Sequence, residues 1–289
     1  MTPYIDNSAP ERELRESLRQ LAVAVAREGA DLAIRLQREG IEVADTKKAP
    51  EDIVTAADRA VESLIWTRLA EARPGDGFCG EESPQVGSDT GYFWIVDPID
   101  GTVNYYYGQQ PSSVSVAVAR GSADPDTWQL LAGCVVNISN GETFSAAKGA
   151  GAFLGSAPIR VRHTRPSSLA LVSAGFGYFP EQRMQQAEVL KRLLGRVRDM
   201  RRVGSAALEL CSVASGRHDM YYERGLNAWD IAAGMLIAAE AGADVVGLDG
   251  RPAGPEFIMV AHPELAAEFA PLVIEWHRDV GLIPSGDTC

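Results

Sequence analysis

The chain of 289 residues is long enough for one large domain or two lobes with a sizeable core, and its 46% apolar and 23% charged residues are ordinary for a folded protein. A net charge of −12 opposes nucleic acid and anionic membrane surfaces through long-range repulsion. No run approaches the roughly 20 apolar residues of a bilayer span, and the acidic, polar start is unlike a signal peptide, so a cytoplasmic protein is expected.

Leu14, Leu18, Leu21, Val25, Leu32 and Leu36 recur at helical spacing and predict a long amphipathic helix from about Glu11 to Gln37. A second helix is expected from about Thr55, carrying Ala57, Ala60, Val61, Leu64, Ile65 and Leu69, before a turn at Pro74-Gly75-Asp76-Gly77. Tyr92 to Val96 is aromatic and β-branched, the profile of a buried strand that stops where Asp97-Pro98 turns the chain. Val114 to Ala119, Leu130 to Ile138 and Glu142 to Ala147 read as further strands, with Asn140-Gly141 as a hairpin turn, which suggests an antiparallel sheet. Past Pro158 strands and helices alternate: a strand Leu169 to Ser173, helices Glu181 to Leu194, Ser205 to Ser215 and Ala228 to Ala241, then a strand Phe257 to Val260. Cys79, Cys134, Cys211 and Cys289 form no C-x-x-C pair and the chain has only 4 His, so neither a zinc signature nor a disulfide framework is read. The sequon Asn137-Ile138-Ser139 lies in an apolar stretch and is taken as chance.

Asp97-Pro98-Ile99-Asp100-Gly101-Thr102 is the most informative segment. Pro98 and Gly101 allow a tight backbone, and two carboxylates three residues apart can then project to one side together with the Ile99 carbonyl and the Thr102 hydroxyl. Such an all-oxygen set suits Mg²⁺; a polar β-turn after a strand explains the same residues equally well. Glu81, in Gly80-Glu81-Glu82-Ser83, is either a further ligand or part of a solvated acidic loop. Asp58 either complements the first turn of the helix capped by Thr55, or takes a proton from a water held by metal, relayed through a hydroxyl such as that of Thr102. Asp230, after Trp229 at the start of an Ala-rich helix, is either ordinary dipole complementarity or a ligand brought from the far half of the chain. Gly204, Ser205 and Ala206 open a helix whose free amides can hold an anion or a substrate hydroxyl, and Glu223, on a polar turn, can bind a hydroxyl too. Gly175-Phe176-Gly177-Tyr178 is a candidate mobile specificity loop.

Taken together, in this order and spacing, the segments resemble the inositol monophosphatase family. Trp94 to Asn104 (W-I-V-D-P-I-D-G-T-V-N) is similar to its first signature and Trp229 to Gly234 (W-D-I-A-A-G) to its second; Asp52 to Asp58, Gly80 to Ser83 and Gly204 to Gly216 extend the likeness over most of the chain. G-F-G-Y, R-R-V-G-S-A-A-L and Y-Y-E-R-G resemble segments of the bacterial inositol-1-monophosphatase branch. The resemblance implies a layered αβαβα sandwich of the sugar-phosphatase type. Its antiparallel-sheet lobe would span residues 1–157 and its smaller α/β lobe residues 158–289, with the site between them. It implies two or three Mg²⁺ ions on Glu81, Asp97, the Ile99 carbonyl, Asp100, Asp230 and the Thr102 hydroxyl. Asp58 and Thr102, with Glu81, would activate water. Asp100, Gly101, Thr102, Gly204, Ser205, Ala206, Glu223 and Asp230 would contact substrate, and Lys47 would stand on a mobile loop beside the site. Tyr105 departs from the usual Phe of the signature without touching a ligand position.

The expected activity is Mg²⁺-dependent hydrolysis of a small polyol or sugar phosphate, inositol 1-phosphate first. Sister phosphatases acting on fructose 1,6-bisphosphate, histidinol phosphate or 3′-phosphoadenosine 5′-phosphate are the nearest alternatives, and a non-catalytic protein-binding module on the same fold is the alternative from another class. The resemblance also implies a homodimer.

Overall fold

The computed structural model describes residues 8–40, 43–46 and 53–284. In chain order its elements are α1 (Ala9–Glu39), β1 (Val43–Thr46), β2 (Ile53–Thr55), α2 (Ala56–Ala72), β3 (Gly77–Gly80), β4 (Tyr92–Asp100), α3 (Thr102–Tyr106), β5 (Ser113–Arg120), β6 (Gln129–Asn137), β7 (Thr143–Ala147), β8 (Gly151–Leu154) and β9 (Ala157–Ile159). The second half holds β10 (Leu171–Ala174), α4 (Pro180–Leu194), β11 (Asp199–Arg201), α5 (Ala206–Ala214), β12 (Met220–Glu223), α6 (Ala228–Glu240), β13 (Asp244–Val246), β14 (Ile258–Ala261) and α7 (Pro263–Asp279).

Strand alternation decides how these elements stack. In β4, Trp94 and Val96 point to one side of the sheet and pack with Val116 and Val118 against Leu18, Val25 and Ala26 of α1 and Val61, Ile65 and Leu69 of α2. Ile95, between them, points to the other side and packs with Ala117, Val135 and Phe144 against Ala207, Leu210 and Cys211 of α5 and Ala233 and Ile237 of α6. The far side of α5 and α6 meets Tyr221, Ile258 and Val260 of a second sheet. That sheet turns Val172, Met220, Tyr222 and Met259 toward Val189 and Leu193 of α4 and Phe269 and Val273 of α7. The order is helices, sheet, helices, sheet, helices, the αβαβα sandwich expected. Each buried aliphatic or aromatic side chain of this kind contributes about 1.5–3 kcal/mol.

The first sheet has 7 strands in the order β3-β4-β5-β6-β7-β8-β9, antiparallel except for the parallel pair β3-β4. The second has 5, in the order β11-β10-β12-β14-β13, with β10 parallel to both neighbours. Helices α5 and α6 are apolar nearly all round because both faces are covered, and they approach closely where Gly234 leaves room for Leu210.

Three features differ from the sequence reading. Strand β4 does not stop at Asp97-Pro98 but continues to Asp100 through a register shift, Asp97 opposite Ser115 and Asp100 opposite Ser113. Proline has no N–H for the ladder, so the strand bulges there and resumes. Short strands β8, β9, β11, β12 and β13 were unforeseen, being three or four residues long and specified by their neighbours. Helix α7 also went unread, although Leu265, Phe269, Val273 and Trp276 carry its period; Pro263 at its start and Pro271 inside it mask the signal.

Candidate active site

The bulge in β4 creates the site. Ser113 and Ser115 lie on the same face of β5, so the two aspartates opposite them, Asp97 and Asp100, also share a face, the one covered by α5 and α6. Gly101 then takes φ 86°, and a side chain there would meet the Gly204 carbonyl at 2.8 Å, so the chain turns into α3 only because this residue is glycine. Thr102 Oγ1 donates to the Ile99 carbonyl at 3.0 Å and to Asp58 Oδ1 at 3.3 Å.

Three helix N-termini converge on this corner, and each holds an acid. Asp58 sits in the first turn of α2, where its Oδ2 accepts from the Thr55 amide at 2.9 Å and from the Thr55 hydroxyl, leaving Oδ1 for Thr102. Asp230 does the same in α6, its Oδ2 accepting from the Asn227 amide at 2.6 Å. Asp100 reaches the start of α5, where its oxygens accept from Ser205 Oγ, from the Ala206 amide at 3.1 Å and from the Ala207 amide at 2.9 Å. Ligand oxygens of Asp97, Asp100 and Asp230 lie within 4.8 Å of one another.

Glu81 follows β3 and raises the proton affinity of Asp97, Asp100 and Asp230 by its charge. Its turn is held by a residue the sequence reading passed over. Glu62, buried in α2, accepts from the Glu82 amide at 2.9 Å, and Gly80 leaves the space its carboxylate occupies. An apolar-facing acid in a helix otherwise packed by Val61 and Ile65 was the available signal.

The electrostatics follow from crowding. Burial, then the charges of Glu81, Asp100 and Asp230, hold the Asp97 carboxyl well above the usual range. Burial, then Glu81 and Asp100, do the same to Asp230. Asp100 is pushed up to about 6 by burial, against the opposing hydrogen bonds of Ser205 and the α5 amides. Asp58 also rises to about 6, chiefly by burial, with Glu82 and Glu81 adding to it. Glu223 is pushed up to about 7 by burial, against the Tyr221 hydroxyl and Arg202. Carboxylates that resist ionisation together, with hard oxygen donors only, fit a divalent cation of the Mg²⁺ class: such an ion relieves their repulsion and favours all-oxygen ligation.

A cleft of about 520 Å³ opens beside these acids, lined by Glu81, Asp100, Gly101, Gly204, Ser205, Ala206, Glu223 and Asp230 together with Gly175 to Phe179 and Arg202. The profile of the inositol monophosphatase family matches residues 14–280 of this chain. The chain belongs to the inositol monophosphatase family. An inositol-1-monophosphatase, SuhB, of Mycobacterium tuberculosis is 42% identical over 251 residues, 83% of each chain. The solved structure of Mycobacterium tuberculosis SuhB is 38% identical and superposes with a TM-score of 0.76 over 90% of this chain and 97% of that one. The Staphylococcus aureus inositol monophosphatase II with inositol monophosphate bound is 27% identical, with a TM-score of 0.74 over 91% and 95%. This member of the inositol monophosphatase family is a phosphatase, a phosphoric monoester hydrolase.

Within this family fold, two sequence-based expectations change and one residue joins the site. The first amides of α5 are not free: Ala206 and Ala207 are engaged by Asp100, because the bulge delivers that carboxylate to the helix start. Glu223 is on no polar turn but ends β12 inside the cleft, where Gly175 abuts its carboxylate so closely that no side chain fits between them. Arg202, which was not singled out, faces this end of the cleft and draws Glu223 toward its ionised form; the only sequence cue was the Arg201-Arg202 pair before Gly204. Lys47 lies outside the described residues.

Proposed function

We propose that this phosphatase hydrolyses a small polyol phosphate in a Mg²⁺-dependent reaction, with inositol 1-phosphate as the preferred substrate. The observation that carries the reading is the meeting of Asp97 and Asp100 from β4 with Asp230 from α6 within 4.8 Å, beside a cleft large enough for a monophosphorylated polyol. Mg²⁺ would be held by Glu81, Asp97, the Ile99 carbonyl, Asp100, Thr102 and Asp230, and bound there it supplies charge neutralisation for a dianionic phosphate in an acidic protein.

The chain's own groups do the rest. Thr102, bonded to both Asp58 and the Ile99 carbonyl, orients a water and passes its proton toward Asp58 Oδ1, which burial keeps proton-hungry. Gly101 lines the cleft beside Gly204 and Ser205, and the phosphate would lie against this shared wall. Glu223 and Asp230 receive ring hydroxyls, so a polyhydroxylated leaving group is preferred over an apolar one. We place the site between lobes 1–157 and 158–289 and carry over a homodimer by family analogy, which light scattering tests.

The deciding experiment measures phosphate release with Mg²⁺ from inositol 1-phosphate, fructose 1,6-bisphosphate, histidinol phosphate and 3′-phosphoadenosine 5′-phosphate. The reading expects the highest kcat/KM on inositol 1-phosphate and loss of turnover in Asp97→Asn with the fold retained. A higher kcat/KM on a sister substrate moves the assignment to that substrate, and near-wild-type turnover by Asp97→Asn removes the proposed ligand.

A further inference from the structure

Histidine is scarce in this chain, with 4 in all, yet two of them meet face to face outside the cleft. His163 lies on the connection between β9 and β10, and His262 caps α7 just after β14. Their rings stack with centroids 4.3 Å apart and planes 12° from parallel. Glu264, in the first turn of α7, brings Oε2 to 2.9 Å from His163 Nε2. One ligand atom from each of the three residues lies within 4.8 Å of the others.

The occupant of this spot is informative. Arg165 Nε donates to His163 Nε2 at 2.9 Å, and its guanidinium also pairs with Glu264 Oε2. His163 Nε2 thus has two partners, accepting from Arg165 in one tautomer and donating to Glu264 in the other, and the Arg165 cation already sits beside the carboxylate. Besides its stack on His163, His262 accepts a 3.4 Å bond from the Glu264 amide at Nδ1, which is easily given up. A cavity of about 500 Å³, lined by these residues with Ser167 and Glu268, gives an ion and its waters room and shares no residue with the catalytic cleft.

We propose that His163, His262 and Glu264 form a second metal site, one that takes a borderline divalent ion of the zinc class in exchange for the Arg165 guanidinium. Two imidazoles and one carboxylate select zinc-like ions over Mg²⁺, which prefers oxygen alone. The three ligands leave a coordination position to water, and the ion would tie the β9–β10 connection to the start of α7.

The test is a calorimetric Zn²⁺ titration of the full chain in buffer saturated with Mg²⁺, comparing wild type with His163→Ala, His262→Ala and the milder His163→Gln. The expected result is one equivalent of zinc bound by wild type, weakened about tenfold or more in every histidine variant. Arg165→Gln should bind the same equivalent more tightly, because the competing cation is gone. Mg²⁺-dependent turnover should stay at the wild-type level throughout. Equal zinc stoichiometry and affinity in wild type and the histidine variants would overturn the site, as would loss of zinc binding on removal of Arg165.

Discussion

Asp58 and Asp230 each face two demands, a helix start that wants a capping carboxylate and a cleft that wants a free oxygen. A carboxylate has two oxygens and meets both: Oδ2 of each residue caps its helix, and Oδ1 of Asp58 goes to Thr102. Asp58→Asn should therefore keep much of the cap, retain metal affinity and lower kcat by about 10²–10⁴-fold, the usual worth of a positioned base. Steady-state kinetics paired with a metal titration check this, and a variant impaired in metal binding alone would take the base role from Asp58. The raised carboxyls also set a pH dependence. Asp58 and Asp100 titrate at about 6 in the fold, above the unfolded value of about 4, so the metal-free fold binds more protons than the unfolded chain between these values. Their contribution to metal-free stability thus declines as pH rises through that window. Divalent ions need the ionised form, so metal affinity should rise from pH 5 to 7 with release of protons. Calorimetry in buffers of different ionisation enthalpy measures both, and a pH-independent affinity would contradict it.

At the scale of elements, the site depends on places where a chain segment is interrupted in a defined way. The β4 bulge puts Asp97 and Asp100 on one face, whereas a regular strand would separate residues three apart onto opposite faces. Glu62 on α2 pins the turn that carries Glu81. The end of β10 supplies Gly175, against which the Glu223 carboxylate of β12 rests. A methyl group at that position must push Glu223 aside. Gly175→Ala is expected to raise KM for the polyol phosphate by about tenfold or more, with much less effect on Mg²⁺ activation. Separate substrate and metal saturation curves distinguish the two, and an unchanged KM would mean that Glu223 does not hold substrate.

Across the whole molecule, the middle helical layer is what joins the two sheets, and its N-termini aim at the acidic corner. Because the proposed ligands come from the first sheet and from α6, metal binding should stabilise the entire fold. At a Mg²⁺ concentration one hundred times Kd the gain is about 2.7 kcal/mol, or roughly 4–5 °C in Tm at this chain length. Thermal unfolding with Mg²⁺ and with chelator measures it, and Asp230→Asn should erase most of the difference. Much of this design was legible along the chain. The long periods of α1 and α2, the apolar run of β4 and the acids at Asp58, Glu81, Asp97, Asp100 and Asp230 are local patterns that survive folding, because helix and strand periods report directly which side chains are buried. Short strands such as β11 and β13, the continuation of β4 past Pro98, the engagement of the α5 amides by Asp100 and the stacking of His163 on His262 depend on segments distant in sequence. The residue types and their local order were set by the sequence itself. Which oxygen faces which helix, and which histidines meet, was decided only when the sandwich closed, because those contacts are fixed by layer packing and by no property of the neighbouring residues.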